Sequence, residues 1–209
     1  MSRLCVWIVV VFVALFRSSQ SQMQGAACKL KCRATSHVAF RKTVEGNELS
    51  RFTSNGCGTA SFRVDVEEQL TPCCDIHDAC YALCGVERDR CDSDFATCLG
   101  KACNGKKSCL QSVGMLTSGV SMFGCSAFMA TQKDNCECIA DRAEAEKRAD
   151  AVMNAVLIHT KKTSPDLVDT VARSTRKADG LASKVSAVRK LLAKLNATII
   201  TRDNQRQEL

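Results

Sequence analysis

Residues 71–84 concentrate the side chains that could do chemistry, because this stretch contains four cysteines, a histidine and two aspartates. If it forms a helix, one stripe carries Cys73, His77, Cys80, Tyr81 and Cys84. His77 is suited to proton transfer near neutral pH, and Asp78, about 100° round the helix, offers a carboxylate to a hard cation. The pattern predicts a proton-transfer group beside a cation ligand.

Two helices are predicted to position these residues. Thr71 is the expected N-cap of the first, Pro72 suits its first turn because no N–H is needed there, and Gly85 is expected to end it. A second helix is predicted over residues 87–103, with Asn104-Gly105 as its stop. Because the turn between them is short, the two helices must run antiparallel.

The cysteine spacing sets the register of the two helices. Cys73 and Cys80 are seven positions apart, and so are Cys91 and Cys98. Two disulfides, Cys80–Cys91 and Cys73–Cys98, could therefore join the helices two turns apart.

That register predicts which acid meets the histidine. At about 100° per residue, Asp92 falls on the His77 side of the helix pair, between His77 and Tyr81 in height, whereas Asp94 falls on the other side. Tyr81 is interpreted as a structural phenol that holds Asp92. A histidine flanked by one carboxylate that orients it and by a second, Asp78, that can hold a metal ion is the layout expected for general-base chemistry.

The remaining cysteines indicate the compartment. Residues 1–21 have the features of a secretory signal, with Arg3 at the start, an apolar core and Ser19-Gln20-Ser21 as a cleavage pattern. Its removal takes away Cys5 and leaves fourteen cysteines between residues 28 and 138, enough for up to seven disulfides. Cytosolic zinc binding is the alternative, supported only by the Cys28-x3-Cys32 and Cys136-x-Cys138 spacings.

These features predict a mainly α, disulfide-rich body over residues 22–138 and a helical, coiled-coil-like extension over residues 139–209. An apolar segment at residues 116–129 is expected to supply a helix that closes the body. The body carries thirteen basic and thirteen acidic residues, whereas the extension carries fourteen basic and nine acidic ones. A basic extension suits a solvated helical surface or an anionic membrane. Nucleic acid is excluded as a partner by secretion and by the absence of aromatic residues from the extension.

The extension divides into two predicted helices, residues 141–158 and a second that begins at Ser164-Pro165-Asp166. An a/d seam with 4,3 spacing runs through the second: Leu167, Val171, Ser174, Ala178, Leu181, Val185, Val188, Leu192, Leu195 and Ile199. A narrow seam is typical of packing between helices. The extension is therefore expected to self-associate or to dock on the body, in preference to forming a membrane helix.

Three motifs resemble the secreted phospholipase A2 family. Cys73-Cys74-x-x-His77-Asp78-x-Cys80-Tyr81 resembles its active-site helix, Asn55-Gly56-Cys57-Gly58 its calcium loop, and Cys91-Asp92-x-x-Phe95-x-x-Cys98-Leu99 its second catalytic helix. With Cys28-Lys-Leu-Lys-Cys32, the resemblance is greatest to the class XII branch. It covers residues 28–138, and the extension has no part in it.

The resemblance implies calcium-dependent hydrolysis of the sn-2 ester of glycerophospholipids at a membrane or micelle surface. Calcium would be held by the Asp78 carboxylate and by backbone carbonyls of Gly56, Gly58 and Ala60. Ala60 and Ser61 stand where many relatives have glycine, which bears on the loop geometry.

The same resemblance assigns roles on the two helices. His77 would take a proton from water, Asp92 would fix its tautomer, and Cys57 would pair with Cys74. A catalytically weak binding protein on the same scaffold, acting on a lipid or a receptor as a toxin-like ligand, is the competing function. Its expected signature is loss of His77 or Asp78, and both are present. A third possibility is a structural coiled-coil protein with a cysteine-rich head, which would leave the His-Asp-Asp placement unexplained.

The C-terminal residues bear on localisation. Arg206-Gln207-Glu208-Leu209 resembles a retrieval signal of the endoplasmic reticulum in its last two residues only, so export is preferred to retention in that lumen. Asn196-Ala197-Thr198 is a glycosylation sequon, whose glycan would report passage through the lumen in either case.

Overall fold

The computed structural model describes residues 28–59, 62–163, 180–192 and 201–202. Several predicted features lie outside these residues: the signal at residues 1–21, the calcium ligand Ala60, the helix start at residue 164, the sequon at Asn196 and the C-terminal residues 206–209. In the described part, the chain is mainly helical and disulfide-rich, which confirms the predicted fold class.

The helices are α1 (Thr71–Tyr81), α2 (Arg88–Cys103), α3 (Lys107–Asn135), α4 (Arg142–Thr163) and α5 (Leu181–Leu192). The strands are β1 (His37–Phe40), β2 (Thr53–Ser54), β3 (Gly58–Thr59), β4 (Phe62–Arg63), β5 (Cys136–Ile139) and β6 (Thr201–Arg202). Short 3-10 helices cover Glu48–Arg51 and Glu68–Leu70.

The ends of α1 differ from the sequence prediction. Thr71 is not an N-cap, because the 3-10 helix runs directly into α1 and Leu70, itself in helical conformation, occupies the cap position without a side-chain hydrogen bond. At the other end, α1 stops at Tyr81 and not at Gly85. Gly85 has a φ of +81° and makes the turn into α2.

A two-stranded antiparallel sheet closes the body. Strand β1 pairs with β5, so that His37 faces Ile139 and Phe40 faces Cys136. The sheet joins the first described residues of the chain to the end of α3.

Seven disulfides join the body: Cys28–Cys125, Cys32–Cys138, Cys57–Cys74, Cys73–Cys98, Cys80–Cys91, Cys84–Cys136 and Cys103–Cys109. The two bonds inferred from the seven-residue spacing and the one implied by the family resemblance are among them. Because α1 and α2 are joined twice, their register is fixed covalently.

The extension shares a hydrophobic core with the body. Val152 and Val156 of α4 and Val188 of α5 are buried in the same cluster as Phe40 and Tyr81. Of the predicted a/d seam, positions 167–178, 195 and 199 lie outside the described residues, and the described positions belong to α5, which begins after Gly180 (φ +79°). Within α5, the seam positions 185, 188 and 192 are buried.

Candidate active site

The His77 ring is held between two aromatic side chains. It lies on α1 with 7% of its surface exposed. The Phe95 ring of α2 stacks against it at a centroid distance of 4.4 Å, and the Tyr81 ring lies at 4.2 Å. This packing restricts rotation of the imidazole and fixes the direction of its two nitrogens.

Asp92 determines which ring nitrogen of His77 is basic. One oxygen, Oδ1, lies 3.0 Å from His77 Nε2 and accepts a second hydrogen bond of 2.7 Å from the Tyr81 hydroxyl. A carboxylate only accepts hydrogen bonds, so it keeps a proton on Nε2 and leaves Nδ1 unprotonated in the neutral ring. Nδ1 is therefore the nitrogen that can accept a proton.

Tyr81 remains a hydrogen-bond donor. Burial, the hydrogen bond to Asp92 and the charge of that carboxylate raise the pKa of Tyr81 well above its usual range. The phenol is thus protonated at physiological pH and donates to Asp92 in either protonation state of His77.

Arg88 is a further member of this cluster that the sequence analysis did not identify. Its Nε lies 3.2 Å from Asp92 Oδ2, the oxygen that does not contact His77. The Arg88 side chain is only 16% exposed. The pair has i,i+4 spacing on α2, which is the sequence signal that could have revealed it.

A narrow cleft beside His77 is lined by Phe95 and Asp94 of α2 and by Arg189 of α5. Arg189 forms an ion pair with Asp94, the acid predicted on the far side of the helix pair. Burial, and then the nearby charge of Arg90, lower the pKa of Arg189. The extension thus places a cation at the edge of the cleft.

The second carboxylate, Asp78, faces the loop that follows β2. Ser54 Oγ lies 3.0 Å from Asp78 Oδ2, and the Asn55 N–H donates to the same oxygen at 3.3 Å. The Ser54 hydroxyl also donates to Asp75 Oδ1 at 2.6 Å. The Gly56 N–H donates to Ser54 Oγ at 3.0 Å and joins the loop to this network.

A buried carboxylate, Asp75, and a partly buried one, Asp78, therefore lie close together. Asp75 is 1% exposed. Burial raises the pKa of Asp78 to about 7, against the lowering effect of its hydrogen bonds from Ser54 and Asn55, and the charge of Asp75 raises it further. Sequence reasoning did not single out Ser54 or Asp75, since their contact joins positions far apart in the chain.

These residues fit a calcium ion. The Asp78 carboxylate beside the glycine-containing loop offers oxygen ligands of the kind that a hard divalent cation prefers. Gly56 (φ +81°) and Gly58 (φ +136°) adopt backbone conformations that side chains disfavour, as a loop that offers carbonyls to an ion requires. Across the described ranges, no group of three or more His, Cys, Asp or Glu side chains could hold a metal. The proposed calcium ligands are of another kind, because they combine one carboxylate, that of Asp78, with backbone carbonyls.

Comparison with known proteins gives a family match. Residues 11–146 match the family described as Group XII secretory phospholipase A2 precursor. Group XIIA secretory phospholipase A2 of Mus musculus is 33% identical over 128 residues, 55% of this chain and 64% of the relative. The Homo sapiens protein of that name is 33% identical over 97 residues, 40% of this chain and 51% of the relative. Group XIIB secretory phospholipase A2-like protein of Mus musculus is 26% identical over 139 residues, 58% of this chain and 69% of the relative.

The matched region has definite limits. The chain spans about half to two thirds of the length of the two Group XIIA relatives. No solved structure matches the chain. The family match includes His77, Asp92 and the loop at Gly56, and it ends inside α4.

Proposed function

Because this chain belongs to the group XII secretory phospholipase A2 family, we propose that it is a secreted, calcium-dependent phospholipase A2. The reaction is hydrolysis of the sn-2 ester of glycerophospholipids, which releases a fatty acid and a lysophospholipid. The observation that carries this proposal is the contact between His77 Nε2 and Asp92, which leaves Nδ1 of a buried, stacked imidazole as the base.

His77 acts on a water molecule in this mechanism. Nδ1 takes a proton from the water as its oxygen attacks the ester carbonyl, and Asp92 stabilises the imidazolium that forms. The same nitrogen then gives the proton to the glycerol oxygen as the sn-2 ester bond breaks. Water attacks directly, so no covalent acyl-enzyme is formed.

The calcium ion would be held by the Asp78 carboxylate and by backbone carbonyls of Gly56, Gly58 and Ala60. When bound, it supplies a Lewis acid that stabilises negative charge on the ester oxygen. Ser54 and Asn55 keep the Asp78 carboxylate directed at the loop before the ion arrives.

The competing function is a lipid-binding or receptor-binding protein with weak catalysis. This alternative is considered because one relative carries the name Group XIIB secretory phospholipase A2-like protein. His77, Asp92 and Asp78 are all present in this chain, and the first two are in contact. This arrangement favours the enzyme.

Fatty-acid release from phospholipid vesicles tests the proposal, with calcium and with a chelator. We expect release only with calcium, and none from His77→Gln, which removes the base without emptying the site. His37→Gln, a change of a partly exposed histidine on β1, is the matched control and should keep full activity. Wild-type protein that binds vesicles but releases no fatty acid with calcium present would establish the binding alternative.

A further inference from the structure

Helix α3 has an unusual surface. Residues 108–132 contain no Lys, Arg, Asp or Glu, although α3 lies on the outside of the body. A surface helix normally carries charged residues on its solvent side. Charged residues lie only at the two ends of this run: Lys106 and Lys107 before it, and Lys133 followed by Asp134 after it.

The two sides of α3 have different roles. Leu116, Phe128 and Gln132 are buried against the body. On the other side, the exposed fractions of Met115, Met122 and Phe123 are 53%, 68% and 63%. The positions between these three are mostly serine, glycine and threonine, so the outer side is uncharged and carries its large apolar side chains among small residues.

By length and composition, α3 could cross a membrane: it has 29 residues, and its most apolar window has a mean hydropathy of 1.4. Its attachment to the body argues against a span. A disulfide joins Cys125 to Cys28, and the Gln132 amide donates to the backbone carbonyls of Tyr81 and Leu83 at 2.7 and 2.9 Å. A helix held along one side by the protein can present only its other side to lipid.

Helix α3 also packs against the candidate active site. The Phe128 ring packs edge-on against Tyr81 at a centroid distance of 5.1 Å. At Gly124, an added Cβ would lie 2.9 Å from the Tyr81 hydroxyl, so the backbone of α3 closely approaches the residue that holds Asp92. Gly124 directly follows the exposed Met122 and Phe123 in the chain.

We propose that the outer side of α3 is the surface by which this protein lies on a phospholipid bilayer. Met115, Met122 and Phe123 enter the boundary between headgroups and acyl chains, and Lys106 and Lys107 at the start of α3 contact anionic headgroups. The relation of this surface to catalysis rests on the proposed function, but the binding does not.

The charge pattern favours lipid over a second copy of the chain. Two parallel copies packed through this surface would place Lys106 and Lys107 beside the same lysines of the other copy, and two antiparallel copies would place them beside the neighbouring Lys133 and Asp134, which together carry no net charge. An anionic lipid surface is complementary to the same pattern.

Flotation with vesicles of phosphatidylcholine and phosphatidylserine tests the surface, on a His77→Gln background so that no lipid is consumed. We expect Met122→Glu with Phe123→Glu to lower the vesicle partition coefficient on the order of tenfold or more, since two apolar side chains no longer leave water. Val44→Glu and Ile158→Glu change side chains of similar exposure, 80% and 59%, elsewhere on the protein. These matched controls should change partition less than twofold.

A fluorescent variant gives an independent measurement. Trp7 is the only tryptophan and lies in the predicted signal, so Phe123→Trp gives the mature chain one reporter on α3. Its emission should shift to shorter wavelength when vesicles are added. Three results would each overturn the proposal. They are an unchanged emission maximum, equal losses of vesicle partition in the α3 and control variants, and self-association without lipid that the α3 variant abolishes.

The active His77 form separates this proposal from the proposed function. The α3 variant should hydrolyse a short-chain phospholipid below its critical micelle concentration at the wild-type rate, and lose activity only on vesicles. If wild type hydrolyses neither substrate yet partitions through α3, the proposed function fails and the lipid surface stands. Equal loss of activity on both substrates would show that α3 has only a structural role.

Discussion

Removing the charge of Asp78 should stabilise the calcium-free protein at neutral and higher pH, even though it removes the carboxylate assigned to calcium. Burial raises the pKa of this carboxyl from 3.8 to about 7. Below pH 3.8, the carboxyl is protonated in both the folded and the unfolded chain and has no net effect. Between pH 4 and 7, the unfolded chain releases the proton while the folded protein keeps it, so the free energy of unfolding falls as the pH rises.

The size of this effect follows from the same pKa. Stability changes by about 1.4 kcal/mol per pH unit over this interval, so the charge on Asp78 costs the folded protein roughly 4 kcal/mol above pH 7. Asp78→Asn escapes this cost. Its amide oxygen can still accept the hydrogen bond from the Asn55 N–H.

Urea unfolding with intact disulfides and a chelator, at pH 4 and pH 8, measures the effect. The stability difference between Asp78→Asn and wild type should grow in favour of the variant by roughly 3 to 4 kcal/mol between these pH values. Asp89→Asn, a change of an 80% exposed carboxylate on α2, is the control and should show no such growth. Added calcium should stabilise wild type and leave Asp78→Asn unchanged. A difference that is the same at both pH values would refute the reasoning about burial.

Two other predictions concern the helix pair and the extension. Asp92→Asn should lower kcat/KM by about a hundredfold or more, because the amide no longer fixes the His77 tautomer, whereas Asp94→Asn should cost less than tenfold. Equal losses in initial-rate assays would contradict the assignment of Asp92. Val156→Asp on α4 should destabilise the protein by more than about 3 kcal/mol in urea unfolding, since Val156 is fully buried, while Ile158→Asp, at a position 59% exposed, should have little effect. Similar midpoints for these two variants would mean that α4 does not support the body.

The central helix pair could be worked out from the sequence because it depends on local periodicity. Two equal cysteine spacings define a register, and the helical angle then places Asp92 beside His77, where the structure has a 3.0 Å contact. Arg88 could have been found by the same rule, since it lies four residues before Asp92 on α2.

Other contacts were beyond sequence reasoning because they depend on tertiary packing. Ser54 reaches Asp75 across 21 positions, and Arg189 reaches Asp94 across 95. The true end of α1 was also missed. The prediction took Gly85 as the stop, but α1 ends at Tyr81 and Gly85, with a φ of +81°, makes the later turn into α2.

Helices α4 and α5 of the extension do not cover the proposed lipid surface on α3. Helix α4 packs behind Phe40 and Tyr81, and α5 brings Arg189 to the edge of the cleft. Met122 and Phe123 remain more than half exposed with α4 and α5 in place. Helices α4 and α5 can therefore stay docked while α3 lies on a bilayer. The family match ends at residue 146, before Val152 and Val156, so this part of the core is completed by residues that the family pattern does not include.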